Sequence, residues 1–482
     1  MKKKIIYLFL IFLNFSYFHK AFSQEKEKIS GTAVVGATTI NGENYQQIGI
    51  RGDFPLGKFG FGLDLQLYID ADGEIRKEDW DEWEDYLDKI YYLRWGKKND
   101  PFYIKIGGLD YTYLGYSNIV NGYSNMIEYP AEKRIGMETS FEMNDFKTEI
   151  FLNDFKELFK KNPSVLIGTR VAYKILGDLE IGATVVTDLN EYNGLNDEDE
   201  DGFADDIDFF PNDKNLVTEI DEYRSKEVSN YTISELIEKE LLDSTEREDL
   251  FDMNKETSQS MVVSLDAGYP IFKNDKISID IYTQISHILG HGWGLTFPGV
   301  RFGIGNFIQL RAEYRKQSKE FLYGYYDFTY ELERAYFERQ KDGSLIVKTK
   351  KESLEKIENK MQGYFAGINF NLLNFVIADI SYQDLRGGGE NMRSIKAELG
   401  LGKKIIPKIS TAKAYYYQNN VKDFQELKTP STMMGYIISY NLGGVDLGFD
   451  YRYTFQDKNG DGKISGKKET IKTVGIRAGV TF

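Results

Sequence analysis

The residues best suited to chemistry lie in an acidic stretch near the middle of the chain. Aspartates fall there at positions 1, 3, 5, 9 and 12 of a calcium-binding loop, and a glycine occupies position 6. Hard Ca²⁺ takes six to eight oxygen ligands, and the glycine permits the sharp turn that makes them converge. The spacing therefore predicts a structural calcium site, and the alternative is a solvated acidic loop. The predicted ligands are Asp197, Asp199, Asp201, Phe203 through its backbone carbonyl, Asp205 and Asp208.

A second, glycine-rich segment near the end of the chain follows the same spacing less completely. Its predicted ligands are Asp457, Asn459, Asp461 and the backbone carbonyl of Lys463. Position 12, which carries a bidentate carboxylate in a complete loop, is Lys468, and a carboxylate follows only at Glu469. A calcium site and a plain turn between two strands both remain open for this segment.

Both segments resemble known calcium-binding families. The first, continued to Pro211 and Asp213, resembles a thrombospondin type 3 repeat, although the cysteines of that family are absent. The second resembles an EF-hand loop, although it joins two predicted strands rather than two helices. These resemblances imply Ca²⁺ as a bound cofactor.

The first residues of the chain have the pattern of an export signal. Lys2, Lys3 and Lys4 precede an apolar run at 5–13, and Ala21-Phe22-Ser23 supplies small residues at alternating positions before the predicted cleavage site. This pattern predicts a signal peptide over residues 1–23, with a mature chain of 24–482. The alternative, an N-terminal membrane anchor, is disfavoured because a spanning helix needs about 20 apolar residues.

Composition excludes several classes of function. The chain of 482 residues has no cysteine, which excludes thiol catalysis and thiolate metal sites, and its net charge is −15. Loss of the four leader lysines would bring that charge to −19. A chain this acidic is not expected to bind nucleic acid, which requires clustered Lys and Arg.

Apolar and polar residues alternate strictly over long runs after the leader. The clearest runs are 59–69 and 445–455, each long enough to cross a bilayer at a tilt. Short turns alternate with long connections between about twenty such runs. The pattern predicts an all-β fold, a transmembrane antiparallel up-and-down barrel of about 18–20 strands. Its long extracellular loops would include a large acidic one at 189–258 and a second at 318–360.

The last nine residues add a family resemblance. The run 474–482 ends on Phe482 and resembles the C-terminal targeting strand of bacterial outer-membrane β-barrel proteins. The resemblance implies location in the bacterial outer membrane, contact with its lipid and assembly by the outer-membrane insertion machinery. The alternative is a secreted soluble β-protein, whose strands also alternate but bury the apolar face.

The polar faces of the same strands predict a hydrated lumen. Charges of both signs project there, as expected of a porin-like passive channel for small solutes, with cations and uncharged molecules favoured. The predicted pore-lining residues are Asp64, Gln66, Arg311, Glu313, Arg315, Asp450, Arg452 and Arg477. Two alternatives are a surface-structural or adhesion protein that uses the barrel as an anchor, and a transporter of hydrophobic compounds. The oligomeric state is left open by the sequence.

Catalysis has little support in the sequence. Beyond the leader only His287 and His291 remain as histidines, and they flank a glycine-containing turn. A hydrolase would need one of them paired with a nucleophile or a carboxylate. No enzymatic activity is predicted.

Overall fold

The computed structural model describes residues 29–481 with internal gaps. The ranges within that span that lie outside the description are 41–42, 81–84, 161–162, 198, 226–232, 240–242, 244, 275, 306, 342, 373–374, 403–404, 458–462 and 466–468. The predicted leader therefore lies outside the described residues, and so do Asn459 and Asp461 of the second calcium-like segment.

Strands make up most of the described chain. In chain order they are β1 Ser30–Ile40, β2 Glu43–Leu56, β3 Phe59–Ile69, β4 Ile90–Trp95, β5 Phe102–Gly107, β6 Thr112–Tyr113, β7 Val120–Tyr123, β8 Gly136–Met143, β9 Phe146–Leu152, β10 Leu166–Ile175, β11 Leu179–Asp188, β12 Ser260–Lys273, β13 Ile277–Ile288, β14 Trp293–Ile304, β15 Ile308–Gln317, β16 Tyr326–Asp327, β17 Ala335–Arg339, β18 Leu345–Thr349, β19 Met361–Leu372, β20 Val376–Gly387, β21 Glu390–Leu401, β22 Ile409–Val421, β23 Thr432–Asn441, β24 Val445–Phe455 and β25 Thr470–Thr481.

The helices are short and lie in the connections between strands. The α-helices are Asp85–Asp88, Glu219–Ser225, Ile233–Glu238, Tyr330–Glu333 and Lys350–Ser353. Single 3₁₀ turns occupy Lys77–Asp79, Glu157–Phe159, Glu191–Gly194, Arg247–Asp249 and Leu354–Lys356. None of the described helices has the length and apolar character needed to cross a membrane.

Among the described residues, twenty antiparallel strands form one closed sheet. Each pairs with the next along the chain, apart from the short strands β6, β7 and β16 to β18, which belong to connections. The sheet closes where β1 pairs with β25, with Val34 opposite Gly479. The prediction of an all-β, up-and-down antiparallel barrel with about 18–20 strands is confirmed.

The two rims of the barrel differ in the length of their connections. At one end, the turn rim, every connection has at most seven residues, and Asn144 and Gly443 adopt left-handed φ angles of 56° and 76° there. At the other end, the loop rim, most connections are long. These long connections cover 70–89, 108–135, 153–165, 189–259, 318–360, 422–431 and 456–469.

The barrel wall turns its apolar side outward. On β3, alternate residues from Gly60 to Tyr68 are buried on the inner side, whereas the apolar residues between them are partly exposed. Large apolar side chains elsewhere on the wall are strongly exposed, including Val35 at 61%, Leu265 at 60% and Tyr364 at 70%. A water-soluble β-protein would bury this face. The outer surface of the barrel wall is therefore suited to apolar surroundings.

Two connections from the loop rim fold back into the barrel, and we call 108–135 and 318–335 the inner segments. They are joined by parallel pairing of β7 with β16, in which Tyr326 lies opposite Val120. Aromatic rings at Tyr123, Tyr325 and Tyr330 are completely buried between the segments and the wall. The inner segments therefore fill part of the lumen.

A buried arginine fixes the second inner segment to the wall. The Arg334 guanidinium donates to both carboxylate oxygens of Asp188, at the end of β11, at 2.7 and 2.8 Å. It also donates to Glu331 at 3.2 Å and to the carbonyl oxygen of Ser164 at 2.6 Å. All of the charged side chains in this cluster are inaccessible to solvent. Since burial removes their hydration, each charge depends on its partners.

Substitution Arg334→Met should loosen the second inner segment. It would leave Asp188 as a buried carboxylate without a cation and Glu331 with only the more distant Arg134, at 4.0 Å, which costs about 3–5 kcal/mol. We expect new cleavage sites within 318–360 when the folded variant is treated with trypsin in detergent micelles and its fragments are identified by mass spectrometry.

The matched control is Arg386→Met. Arg386 pairs with Asp384 at 2.7 Å, but its side chain is 68% exposed, and such exposed pairs contribute little to stability. The control should keep the wild-type digestion pattern. Equal resistance of both variants would contradict the anchoring role of Arg334.

Candidate functional site

The predicted lumen residues on β3 contact the first inner segment. Asp64 is buried on the inner side, where it pairs with Arg51 at 2.7 Å and accepts a hydrogen bond from Gln66 at 2.6 Å. The Tyr129 hydroxyl of the inner segment donates to the same carboxylate at 2.9 Å. Asp64 and Gln66 therefore belong to a polar contact between the wall and the inner segment.

The charged row on β15 is covered by the inner segments. Glu313 is buried between Arg311 and Arg315, and the Arg315 ion pair measures 2.6 Å. Arg311 also donates to the backbone carbonyl of Tyr116, and the Arg315 guanidinium lies over the ring of Tyr323. On this side of the barrel the predicted lumen charges are satisfied by protein.

The predicted residues on β24 and β25 lie at a more open part of the interior. Arg452 donates to the backbone carbonyl of Tyr129 at 2.9 Å, and Arg477 pairs with Asp450 at 3.3 Å. Asp450 and Arg477 are only partly buried, each with about a third of its side chain exposed. The eight predicted residues therefore occur in three separate groups around the inner wall.

A large polar cavity opens beside these strands at the loop rim. Its volume is about 960 Å³, and its wall includes the ends of β1, β24 and β25 and parts of six long connections. We call it the vestibule. Charged side chains dominate its lining, including Arg76, Asp85, Lys156 and Arg452.

A smaller cavity of about 30 Å³ lies beside the vestibule at the inner wall. It is lined by Asp64, Gln66 and Tyr68 of β3 together with residues from two connections. Asp79, Asp88, Pro130 and Lys133 line both cavities, and we call these four residues the neck. The polar interior therefore extends from the vestibule past the neck to the β3 wall.

The acidic loop brings three of its predicted ligands together. Carboxylate oxygens of Asp197, Asp199 and Asp201 all lie within 4.8 Å of one another, so these residues could hold a metal ion. Asp197 accepts hydrogen bonds from the backbone amides of Asp201 and Gly202, at 3.2 and 2.9 Å. Gly202 has a φ of 99°, which favours glycine at this position of the loop.

Asp208, the predicted ligand at position 12, is not a member of this group of three. The residue is 9% exposed, and its Oδ2 has no hydrogen-bond partner among the described residues. Asp199 Oδ2 is buried and unpartnered in the same way. The structure thus leaves two carboxylate oxygens of the acidic loop without a protein donor.

Crowding of carboxylates changes the electrostatics of the loop. Burial, with the nearby charges of Asp201 and Asp199, raises the pKa of Asp197 to about 7. The pKa of Asp208 is raised to about 6 by burial and the same two charges. One cation offsets this repulsion, since Arg247 pairs with Asp201 at 3.2 Å and lies over the Phe203 ring. The Phe203 side chain is buried, and its predicted role concerns only its carbonyl.

The structure describes only part of the second calcium-like segment. Asp457 and Lys463 lie within the described residues, between β24 and β25, whereas Asn459 and Asp461 do not. Glu469 is buried and accepts a hydrogen bond from the backbone amide of Ser465 at 2.6 Å. Metal binding by this segment therefore stays a prediction.

The two histidines lie at the loop rim, around the turn between β13 and β14. His287 Nδ1 is 3.0 Å from the carbonyl oxygen of Gly292. His291 Nδ1 is 3.4 Å from a Glu320 carboxylate oxygen, and its side chain is 15% exposed. Among the contacts of the described residues, neither histidine is paired with a serine nucleophile.

Sequence reasoning missed the inner segments and the neck. The run 321–326 contains five aromatic or leucine residues in a connection expected to face water, and this was the available signal. Lys133 and Asp88 had no comparable signal, because single charged residues in a long loop are ordinary. Their significance depends on the cavities that they line.

Among known proteins, only solved structures are similar to this chain. No protein-family model and no curated protein sequence matches the chain. The structure is similar to OccK11 (OpdR) from Pseudomonas aeruginosa, with a TM-score of 0.31, 9% identity, and coverage of 94% of each chain. It is similar to the outer membrane protein OpdK of the same organism, with a TM-score of 0.29, 8% identity, and coverage of 95% and 100%. It also resembles the siderophore receptor PirA from Pseudomonas aeruginosa, with a TM-score of 0.36, 7% identity, and coverage of 95% and 81%. Similarities this low assign no function to the chain.

Proposed function

We propose that this protein is a bacterial outer-membrane β-barrel that acts as a passive channel for small solutes. One observation carries the proposal: a closed barrel with an apolar outer wall encloses a polar cavity system that enters from the loop rim. A barrel of this kind is stable in a bilayer, and charged walls suit water and small hydrophilic solutes. Its partners are outer-membrane lipid, the insertion machinery and those solutes.

The route through the channel would follow one side of the lumen. The inner segments pack against β9 to β15, where Asn118 bonds to Gln284 of β13 and Arg311 bonds to Tyr116. They also pack against β21 and β22, where the Tyr111 hydroxyl donates to Glu398 and Asn419 donates to Asp327. The vestibule and the smaller cavity lie instead beside β1 to β3 and β24 to β25. Solutes would therefore pass the neck and the predicted lining residues Asp64, Gln66 and Arg452.

We further propose that Ca²⁺ stabilises the acidic loop at the vestibule wall. The support is the convergence of Asp197, Asp199 and Asp201, together with the unpartnered oxygens of Asp199 and Asp208. A divalent cation there would offset like-charge repulsion and supply partners for those oxygens. The loop is tied to the rest of the rim through Glu200, which pairs with Lys160 at 2.9 Å.

A second candidate function is a surface anchor, and the inner segments favour it. They bury aromatic rings and the Arg334 cluster inside the barrel, which gives the lumen a protein core on one side. A barrel filled in this way can serve to display its loops. The third reading, a carrier of hydrophobic compounds, is less well supported, because both described cavities are lined mainly by polar and charged residues.

The channel proposal is tested by single-channel recording. Mature protein, refolded and shown to be folded, should produce discrete ohmic current steps in a planar bilayer. A folded but silent barrel, with and without millimolar Ca²⁺, would overturn the channel and favour the surface anchor.

The calcium proposal is tested by titration calorimetry of the whole protein in detergent micelles. Substitution Asp199→Asn should lower the Ca²⁺ affinity at least about tenfold, because calcium affinity depends on the number of charged ligands. Asp213→Asn is the matched control from the same acidic stretch, since Asp213 is exposed and bonds to Asn215 outside the cluster. An equal effect of both substitutions, or no calcium binding by the wild type, would contradict the site.

A further inference from the structure

The four neck residues belong to the lining of both cavities. Asp88 comes from the connection 70–89, and Lys133 comes from the first inner segment, so two different parts of the chain form the neck. A solute that occupies either cavity therefore has both charged groups in the wall around it.

Lys133 differs from Arg51, Arg76 and Lys156 because it has no ion-pair partner among the described residues. It differs from Lys89, which also lacks an ion pair, because Lys89 donates a hydrogen bond to the Asp79 carbonyl. Arg51 pairs with Asp64 at 2.7 Å, Arg76 with Asp79 at 3.0 Å, and Lys156 with Asp88 at 3.4 Å. Lys133 is half-buried, and within the described part of the chain it makes no hydrogen bond or ion pair. Its ammonium group is thus the surplus cation of the neck.

Asp88 contributes an unsatisfied acceptor at the same place. One of its carboxylate oxygens, Oδ2, accepts from Lys156, whereas Oδ1 is buried and has no hydrogen-bond partner among the described residues. The residue is only 9% exposed. A buried polar atom without a partner costs free energy that a bound group can recover.

We propose that the neck is a solute-selecting subsite for small organic anions. Lys133 binds the anionic group of the solute, and Asp88 Oδ1 accepts a hydrogen bond from a donor on the same molecule. The inference rests on the channel function proposed above and names the solute class of that channel. It also differs from the preference for cations that the overall acidity of the chain predicts, because selection occurs at the narrow neck and not on the outer loops.

Anion selection at the neck should depend on pH, because both Lys133 and Asp88 change their charge within the accessible range. Burial lowers the pKa of Lys133 to about 8, although Asp64 and Asp88 oppose the change. Burial raises the pKa of Asp88 to about 6, against the opposing effect of Lys156, Lys133 and Lys89. At pH 5 the neck therefore has a charged Lys133 and a neutral Asp88, and at pH 9 it has the reverse.

The other titratable and charged groups that face the neck come from five elements. They are Arg51 on β2, Asp64 and Tyr68 on β3, Arg76, Asp79 and Lys89 in the connection 70–89, Tyr129 in the first inner segment, and Lys156 in the connection 153–165. Each charged group among these except Lys89 has an ion pair with an opposite charge. Lys89 donates to the carbonyl oxygen of Asp79 at 2.8 Å and lies over the Trp80 ring.

The experiment measures reversal potentials of the full-length mature channel in gradients of potassium glycolate and potassium acetate at pH 5, 7 and 9. In the wild type, the permeability of glycolate relative to K⁺ should fall at each step of rising pH. Lys133→Gln should lower the permeability of glycolate relative to K⁺ about tenfold at pH 7, and it should abolish the decrease in this permeability between pH 7 and 9. Asp88→Asn should abolish the decrease between pH 5 and 7. It should also reduce the preference for glycolate, which has a hydroxyl donor, over acetate.

Two further variants make the result specific. Lys133→Arg keeps the charge and should retain the anion preference at pH 9, since arginine stays protonated there. Lys77→Gln removes an exposed cation that lines only the vestibule, and it should leave both permeability ratios unchanged.

The possible failures separate the subsite from the channel. A conducting Lys133→Gln variant with wild-type ratios at all three pH values would overturn the subsite and leave the channel intact. Equal effects of Lys77→Gln and Lys133→Gln would also overturn it. A folded wild type without current would overturn the channel function and the subsite with it.

Discussion

Closure of the sheet between β1 and β25 is the constraint on which the remaining structure depends. The wall presents apolar side chains outward, so its backbone amides and carbonyls have no water with which to pair. An open sheet would leave a free edge on its first and last strands, whereas pairing Thr32 with Thr481 and Val34 with Gly479 removes both edges. Closure of an antiparallel sheet also requires an even number of strands, which places both ends of the barrel chain at the turn rim.

A closed ring of twenty strands is too wide for its own side chains to fill. Inward residues such as Asp64, Glu313 and Arg311 therefore need other partners, either water or protein. The inner segments supply many of these partners: Tyr129 bonds to Asp64, and the carbonyl of Tyr116 bonds to Arg311. The interior is consequently asymmetric: the inner segments pack against strands from β9 to β23, whereas the vestibule opens beside the ends of β1, β24 and β25.

The packed side is held by charges as well as by apolar burial. Arg334, Asp188 and Glu331 are fully buried, and they stabilise the assembly only as a complete set. On the open side the charges are less completely matched. The vestibule wall includes Asp197 and Asp199 of the acidic loop, and the neck carries Lys133 without a partner. Binding of ions and solutes is therefore expected where the protein itself does not satisfy its charged groups.

The sequence by itself determined the barrel, because strand periodicity and turn residues are local properties. The alternation at 59–69 specifies the two faces of β3, and residues such as Asn144 and Gly443 specify the turn rim. The same local logic placed Asp197, Asp199 and Asp201 together, since their ligand spacing lies within five residues. Only the tertiary structure decided that 108–135 and 318–335 enter the lumen and that Asp88 and Lys133 line the same cavities. These arrangements join residues far apart in the chain, and their energies depend on burial and on partners that no local pattern encodes.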